Sequence, residues 1–281
     1  MSGQYKIEWL CEALMVSRSG YYDWLKRREQ PGARACEQQE LTQRIHEEFE
    51  RSRRTYGSPR IARVIGSVSR KRVARIMRCG NLRARQRSKY RVATTDSAHG
   101  GPIAPNRLLE TKVQRANQVW VTDATAVLTA EGWLYVVALL DVHTRRIVGW
   151  AMDQCLDARM AVNALQMAVA QRRPEASLIV HSDRGSQFAS ALFREKLQEH
   201  KLVASMSRKA NCYDNAFMES FWSSMKYETV YHRKFATRAE ARSALFDYIE
   251  SFYNRTRLHS SLGYQSPVQF ESTLSTLKPI N

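Results

Sequence analysis

Three acidic residues, Asp123, Asp183 and Glu219, stand in surroundings that point to chemistry, and 35 residues separate the last two. Asp123 follows the apolar run Val119-Trp120-Val121-Thr122, and Asp183 follows Leu178-Ile179-Val180-His181-Ser182. Glu219 falls within a helix-like stretch from Asp214 to Lys226. Two acids at strand ends and one on a helix can converge. Magnesium and manganese take oxygen ligands, and two such ions roughly 3.5–4 Å apart clamp the attacking and leaving oxygens of an in-line phosphoryl transfer. The chain holds 27 acids, so some spacing of this kind is inevitable and the residues flanking each acid must discriminate.

The elements that would position these acids follow from periodicity. Apolar runs at Val119 to Thr122, Leu134 to Leu140 and Ile147 to Met152 predict three strands. Turns at Ala130-Glu131-Gly132 and Val142-His143-Thr144-Arg145 join them into an antiparallel meander. A helix from about Ala158 to Gln171 follows, then a strand at Leu178 to Ser182 and a helix from about Ala189 to His200. A short strand at Leu202 to Met206 and the Glu219 helix come next, and Phe246 to Asn254 is amphipathic. Helical spacing puts Asn215, four residues before Glu219, and Lys226, seven after it, near the same face. Gln187 and Arg184 lie close enough to Asp183 to face a substrate.

Ahead of this region the chain is helical and basic. Residues 5 to 28 predict two short helices around Val16-Ser17-Arg18-Ser19-Gly20, with Ile7, Leu10, Cys11 and Leu14 on one face and Tyr21, Trp24, Leu25 and Arg28 on the next. A charged connecting helix from Glu37 to Arg53 precedes a second pair, for which Ser58 and Ser69 are the expected caps. In the helix Arg70 to Arg78 the residues Val73, Ile76 and Met77 form the buried stripe, leaving Arg70, Lys71, Arg72, Arg75 and Arg78 for DNA. The net charge of +17 points to a polyanionic partner, although a basic surface also suits an anionic membrane; no acid occurs between Glu50 and Asp96, where 15 Arg and Lys fall. Residues 79 to 112, with Arg83, Arg85, Arg87, Lys89 and Arg91, read as a basic linker.

No secretory signal is expected, because Lys6, Glu8 and Glu12 break the apolar stretch near the start, and the longest apolar run, Trp133 to Leu140, is too short to cross a bilayer. Five cysteines without a CxxC pair predict reduced thiols and a cytoplasmic location. No internal repeat is present.

The segments Val119-Trp120-Val121-Thr122-Asp123-Ala124-Thr125, His181-Ser182-Asp183-Arg184-Gly185-Ser186-Gln187-Phe188 and Asn211-Cys212-Tyr213-Asp214-Asn215-Ala216-Phe217-Met218-Glu219-Ser220-Phe221 closely resemble the three signature blocks of DDE transposases. That superfamily shares its catalytic core with retroviral integrases. Within it the chain is most similar to the second reading-frame protein of the bacterial insertion sequence three family. Tyr56-Gly57-Ser58-Pro59-Arg60-Ile61 and Leu258-His259-Ser260-Ser261-Leu262-Gly263-Tyr264 carry the resemblance over nearly the whole chain.

The resemblance implies an α/β, ribonuclease H-like catalytic core with a mixed sheet flanked by helices, preceded by small all-α modules. The expected division is an N-terminal helical segment (1–50), a basic helix-turn-helix-like module (51–92), a linker (93–112) and an integrase-type core with a C-terminal helical tail (113–281). It also implies that Asp123, Asp183 and Glu219 are the catalytic residues and hold two Mg2+ or Mn2+ ions, with Lys226 on DNA phosphate and Asn215 and Gln187 as further DNA contacts. The implied activity is metal-dependent DNA cleavage and strand transfer at the ends of an insertion sequence. The implied partners are element-end and target DNA, a first-frame protein or frameshift fusion, and further copies of the chain on DNA. A zinc module of the integrase type is absent from the sequence. Two other readings compete: a DNA-binding regulator with an inert core, and a general metal-dependent nuclease that cuts without joining. Several residues near the blocks read as structural: Asp141 as a strand-turn acid bonding backbone, His181 as a satisfied core histidine, Asp214 as a helix cap, Phe221 and Trp222 as core packing.

Overall fold

A computed structural model describes residues 6–29, 32–85, 102–208 and 215–277 and divides the chain into two units, Met1–Ala84 and Arg85–Asn281. Asp214, Arg87, Lys89 and Arg91 lie outside the described residues.

The first unit is helical: α1 (Ile7–Ala13), α2 (Arg18–Glu29), α3 (Ala33–Arg51), α4 (Ser58–Ile65) and α5 (Arg70–Cys79). Leu41, Ile45 and Phe49 recur at four-residue spacing on α3 and are buried with Ile61 and Ile65 of α4 and Val73, Ile76 and Met77 of α5. The stripe read on α5 is therefore its core face. Ser69 caps α5, its hydroxyl accepting from the Arg72 N–H at 3.3 Å. Ser58 does not cap α4; it is the first helical residue. Gly57 takes the cap position in an extended conformation, and its carbonyl receives the N–H groups of Arg60 and Ile61. Among the described side chains of the α1–α2 pair Cys11 alone is buried; Ile7, Leu10, Tyr21 and Leu25 are half-buried and Leu14 and Trp24 exposed, so the apolar faces read there are partly covered.

The second unit is built on a five-stranded mixed sheet in the order β3-β2-β1-β4-β5, the ribonuclease H-like arrangement. β1 (Val119–Thr129), β2 (Gly132–Asp141) and β3 (Ile147–Asp153) form the expected antiparallel meander. β4 (Ile179–Ser182) pairs parallel with β1 from Val119↔Ile179 to Val121↔His181, and β5 (Val203–Met206) pairs parallel with β4. β1 runs well past Asp123, so Asp123 is not at a strand end. Its partner β4 stops instead, while β2 keeps pairing with β1 out to Thr129↔Gly132. Asp123 therefore sits where the sheet forks.

The crossover from β3 to β4 is α6 (Ala158–Arg172), capped by Asp157 and packed against β3 and β2. Gly149 on β3 makes this packing possible. A Cβ there would lie 2.3 Å from the Ala164 carbonyl oxygen and 2.7 Å from the Ala168 Cβ. Trp120, Val137, Leu139 and Val148 of the sheet share this core with Leu165 and Ala168 of α6, and with Phe188 and Phe193. Burying each large apolar side chain contributes about 1.5–3 kcal/mol. The helix expected at about 189–200 is α8 (Ala191–Glu199); a short helix not expected from the sequence, α7 (Ser186–Ala189), precedes it, and Ser190 divides the two, its extended backbone letting its hydroxyl cap α8.

After β5 come α9 (Ala216–Met225), which lies against β1 and runs into a wide π-type turn at Lys226–Val230, then α10 (Arg238–Phe246) and a second π-type turn at Asp247–Tyr253. A short 3-10 turn at Ser260–Leu262 precedes α11 (Pro267–Leu277). Glu271 of α11 binds Arg172 of α6 (2.7 Å) and Arg146 of the β2–β3 turn (2.5 Å), tying the tail to the sheet. Burial favours the neutral Glu271, but the hydrogen bonds and charges of the two arginines prevail and hold it below the usual carboxylate range. Among the described residues no helix is long and apolar enough to cross a membrane.

Candidate active site

Strand alternation places Asp123 on the face of β1 opposite Trp120 and Ala124, away from α6 and toward α9. The β1–β4 ladder ends at Val121↔His181, two residues short of Asp123 and Asp183, and at the fork beyond it the charge of Asp183 reaches Asp123. Both acids are half-buried. The Asp123 carboxylate has a donor on each oxygen: the Ala124 N–H on Oδ1 at 2.8 Å and the Trp222 indole N–H on Oδ2 at 3.1 Å. Burial first, then the charge of Asp183 and, less strongly, that of Glu219, push its pKa up to about 8 against the pull of these two donors.

Asp183 accepts the Gly185 N–H at 3.0 Å on its Oδ1, the first turn of the segment that becomes α7. Ser207 brackets it. The Ser207 N–H donates to the Ser182 carbonyl at 2.9 Å, its hydroxyl meets His181 Nε2 at 3.0 Å, and its carbonyl accepts from Arg184 Nε at 2.8 Å. His181 Nδ1 lies 2.9 Å from the Ser205 hydroxyl, so this fully buried ring is satisfied on both nitrogens, as read from the sequence. Arg184 is engaged with backbone rather than held open.

Glu219 is exposed in the first turn of α9 and lies within electrostatic reach of Asp123. Among the described residues no three His, Cys, Asp or Glu side chains are drawn together as a ready-made cation cage. The fold thus pairs Asp123 with Asp183 and brings the helix bearing Glu219 alongside through Trp222, three residues further on. Lys226, half-buried at the start of the π-type turn, also feels Asp123: burial pulls its pKa below the ordinary lysine range and the carboxylate pushes back.

Two expected DNA contacts are placed differently. Asn215 is buried, its Nδ2 donating to the Thr122 carbonyl at 3.4 Å, so it ties the start of α9 to β1. Gln187 is also buried, its amide folded over Gly185 so closely that a Cβ there would lie 2.3 Å from Nε2. Both side chains are buried rather than exposed on the surface. On α5, Arg70, Lys71, Arg75 and Arg78 are exposed, whereas Arg72 is half-buried and bound to Glu37 at 3.3 Å and to Gln38 at 3.0 Å on α3. The acid-free stretch concealed that partner, which lies 35 residues upstream. Asp141 is a turn residue: fully buried, it accepts the N–H groups of Asn117, His143 and Thr144.

Sequence reasoning missed two features of the site. Trp222 was read as packing, although tryptophan is an aromatic with a hydrogen-bond donor, which was the available signal. The other is the buried pair of Glu228 and Arg257, doubly bonded at 2.9–3.1 Å and closed by the Tyr248 hydroxyl at 2.8 Å, which locks the wide turn that begins at Lys226.

A ribonuclease H-like sheet with adjacent aspartates at the β1–β4 fork and a glutamate-bearing helix beside them defines the integrase-type polynucleotidyl transferases. The family described as Integrase core domain matches residues 113–212, a second Integrase core domain family matches 219–274, and an HTH-like domain matches 37–90, which takes in α3 as well as α4 and α5. The chain is 45% identical over 266 residues to the Insertion element IS600 uncharacterized 31 kDa protein of Shigella sonnei, covering 93% of this chain and 97% of that one. It is 38% identical over 275 residues to Transposase InsF for insertion sequence IS3fB of Escherichia coli (strain K12), covering 96% and 95% respectively. The chain belongs to this IS3 family of insertion-sequence transposases. Solved structures with a similar fold include the simian T-cell lymphotropic virus intasome in complex with PP2A regulatory subunit B56 gamma (14% identity, TM-score 0.49, 80% of this chain and 74% of that one). Another is the HTLV-2 integrase catalytic core domain in complex with magnesium (13% identity, TM-score 0.41, 57% and 98%).

Proposed function

We propose that this transposase cuts and joins DNA at Asp123, Asp183 and Glu219, which hold divalent cations, Mg2+ or Mn2+, at the ends of its own insertion sequence. The observation that carries the assignment is the meeting of Asp123 and Asp183 at the β1–β4 fork with the Glu219 helix beside them; burial first, and then the charge of Asp183, raise the Asp123 pKa there. Mutual repulsion of carboxylates is a cost that a cation removes, and three carboxylates supply the oxygen donors these metals prefer. Near them Asn215 Oδ1 is buried without a hydrogen-bond partner among the described residues, a polar atom suited to a hydrated ion. When bound, two such ions stabilise the attacking and leaving oxygens of in-line displacement at phosphorus.

The chain's own residues orient the substrate. Lys226 attracts a phosphate to the mouth of the site, and Arg70, Lys71, Arg75 and Arg78 hold the backbone of the duplex without needing to read bases. Asn215 and Gln187 act indirectly, by fixing the backbone around Asp123 and Asp183. The nucleophile is water in the cleavage step and a DNA 3′-hydroxyl in the joining step, so no covalent intermediate with the protein is required. A first-frame protein, separate or fused, and further copies of this chain are the partners that would bring two element ends together. The place of action is the bacterial cytoplasm, on nucleoid DNA.

The test is nicking and joining of end-bearing DNA with Mg2+ or Mn2+, comparing the parent with Glu219→Gln. We expect the variant to lose both reactions, by at least about a hundredfold, while binding DNA as the parent does. Equal activity in both proteins rejects the assignment of Glu219. Cutting without joining at any DNA sequence favours a general nuclease.

A further inference from the structure

We infer that Trp222 is a positioning residue for the metal site: its indole N–H fixes the Asp123 carboxylate in the orientation that receives a divalent cation. The inference rests on the proposed role of Asp123 as a metal ligand.

The geometry is specific. A carboxylate offers about four lone-pair directions, and Asp123 commits one on each oxygen, to Ala124 N–H and to Trp222 Nε1–H, so the group cannot spin and one direction on each oxygen stays free. The Ala124 donor belongs to the neighbouring residue and comes with the strand. The Trp222 donor comes from a different element, 99 residues away in sequence, and is itself held rigidly. Its ring is buried against Phe221, with centroids 4.7 Å apart, and Phe221 is fully buried against the Tyr253 ring at 4.8 Å. The Arg257 guanidinium stands over Tyr253 and is paired with Glu228. A rigid donor of this kind keeps a metal ligand in one orientation, as hydrogen bonds behind ligating side chains do in metal proteins generally. The same contact joins α9 to β1, so the orientation of Asp123 and the placement of the helix bearing Glu219 are set together.

The contact also makes Trp222 a spectroscopic witness. A cation arriving on Asp123 changes the field at an indole 3.1 Å from that carboxylate, which alters its emission. The experiment is Mn2+ titration of the full chain without DNA, followed by calorimetry and by tryptophan emission, in the parent, Trp222→Phe and Asp123→Asn. Trp222→Phe keeps the ring packing and removes the donor. We expect the parent to bind Mn2+ with a change in emission, Asp123→Asn to lose that binding, and Trp222→Phe to bind about tenfold more weakly with the emission change gone. Unaltered Mn2+ affinity in Trp222→Phe overturns the inference and leaves Trp222 as packing. A parent that shows no Asp123-dependent Mn2+ binding overturns the metal-ligand reading and takes this inference with it. Should Trp222→Phe fail to fold, benzothienylalanine at position 222, which keeps the bicyclic shape and has sulfur in place of the N–H, gives the same contrast.

Discussion

At Asp123 the fold and the charge of one side chain oppose each other. Burial and Asp183 raise its pKa from an ordinary 3.8 to about 8. A carboxyl whose pKa is higher in the folded state contributes its full stability below the unfolded value and loses it as pH climbs through the folded one. The metal-free protein is therefore expected to weaken between about pH 4 and pH 8 on account of this group. Asp123→Asn should remove that loss, raising the melting temperature at pH 8 by the equivalent of on the order of 1–2 kcal/mol, a figure reduced for partial exposure, and changing little at pH 4. Calorimetry in the presence of a chelator at the two pH values checks this; equal melting at pH 8 would mean that burial and Asp183 together do not raise the Asp123 pKa. The three acids were read from the blocks that flank them, since 27 acids make spacing alone uninformative. The side chains that hold them were not, since a hydrogen bond such as Trp222 to Asp123 joins residues far apart in sequence and leaves no period behind.

Strands and helices were mostly legible, and the departures share a cause. β1 was read as ending at Thr122 because the polar Asp123 and Thr125 interrupt its apolar run, yet β2 pairs with it to Thr129 and supplies the hydrogen bonds that continue the strand. The short helix α7 was missed because four residues carry no apolar period, and Ser190 is unremarkable until its hydroxyl is seen capping α8. The wide turns at Lys226–Val230 and Asp247–Tyr253 leave no pattern distinct from an α-helix, since one additional residue per turn barely disturbs apolar periodicity. Close packing is equally silent in sequence: Gly149 looks like a flaw in a strand and is the place where α6 touches the sheet. Gly149→Ala is expected to push α6 outward and destabilise the core by about 1–3 kcal/mol, an overpacking effect. Chemical denaturation measures it, and a variant as stable as the parent would show that α6 moves aside freely.

The molecule as a whole distributes its charge unevenly: the helical unit is strongly basic, and the carboxylates at the fork lie in the other unit. Binding carried by phosphate contacts weakens with salt, by roughly one unit in the slope of log affinity against log salt for each contact. Replacing Arg70, Lys71, Arg75 and Arg78 together by Gln in the full chain should lower that slope by roughly three to four, whereas Arg72→Gln, which removes a tie to α3, should alter stability more than slope. Binding isotherms at several salt concentrations distinguish these outcomes, and an unchanged slope in the fourfold variant would exclude α5 as a DNA surface. Chain connectivity adds a last point. The polypeptide leaves the sheet at Asp183, passes through α7, α8 and β5, and at Ser207 returns to within a hydrogen bond of the residues on either side of its departure. That excursion is a closed circuit, so its length has no influence on where the second carboxylate sits. The contacts of α9 with β1, through Trp222 and Asn215, then set where the third lies. The interval of 35 residues is therefore a contour length, most of it spent returning to its own starting point.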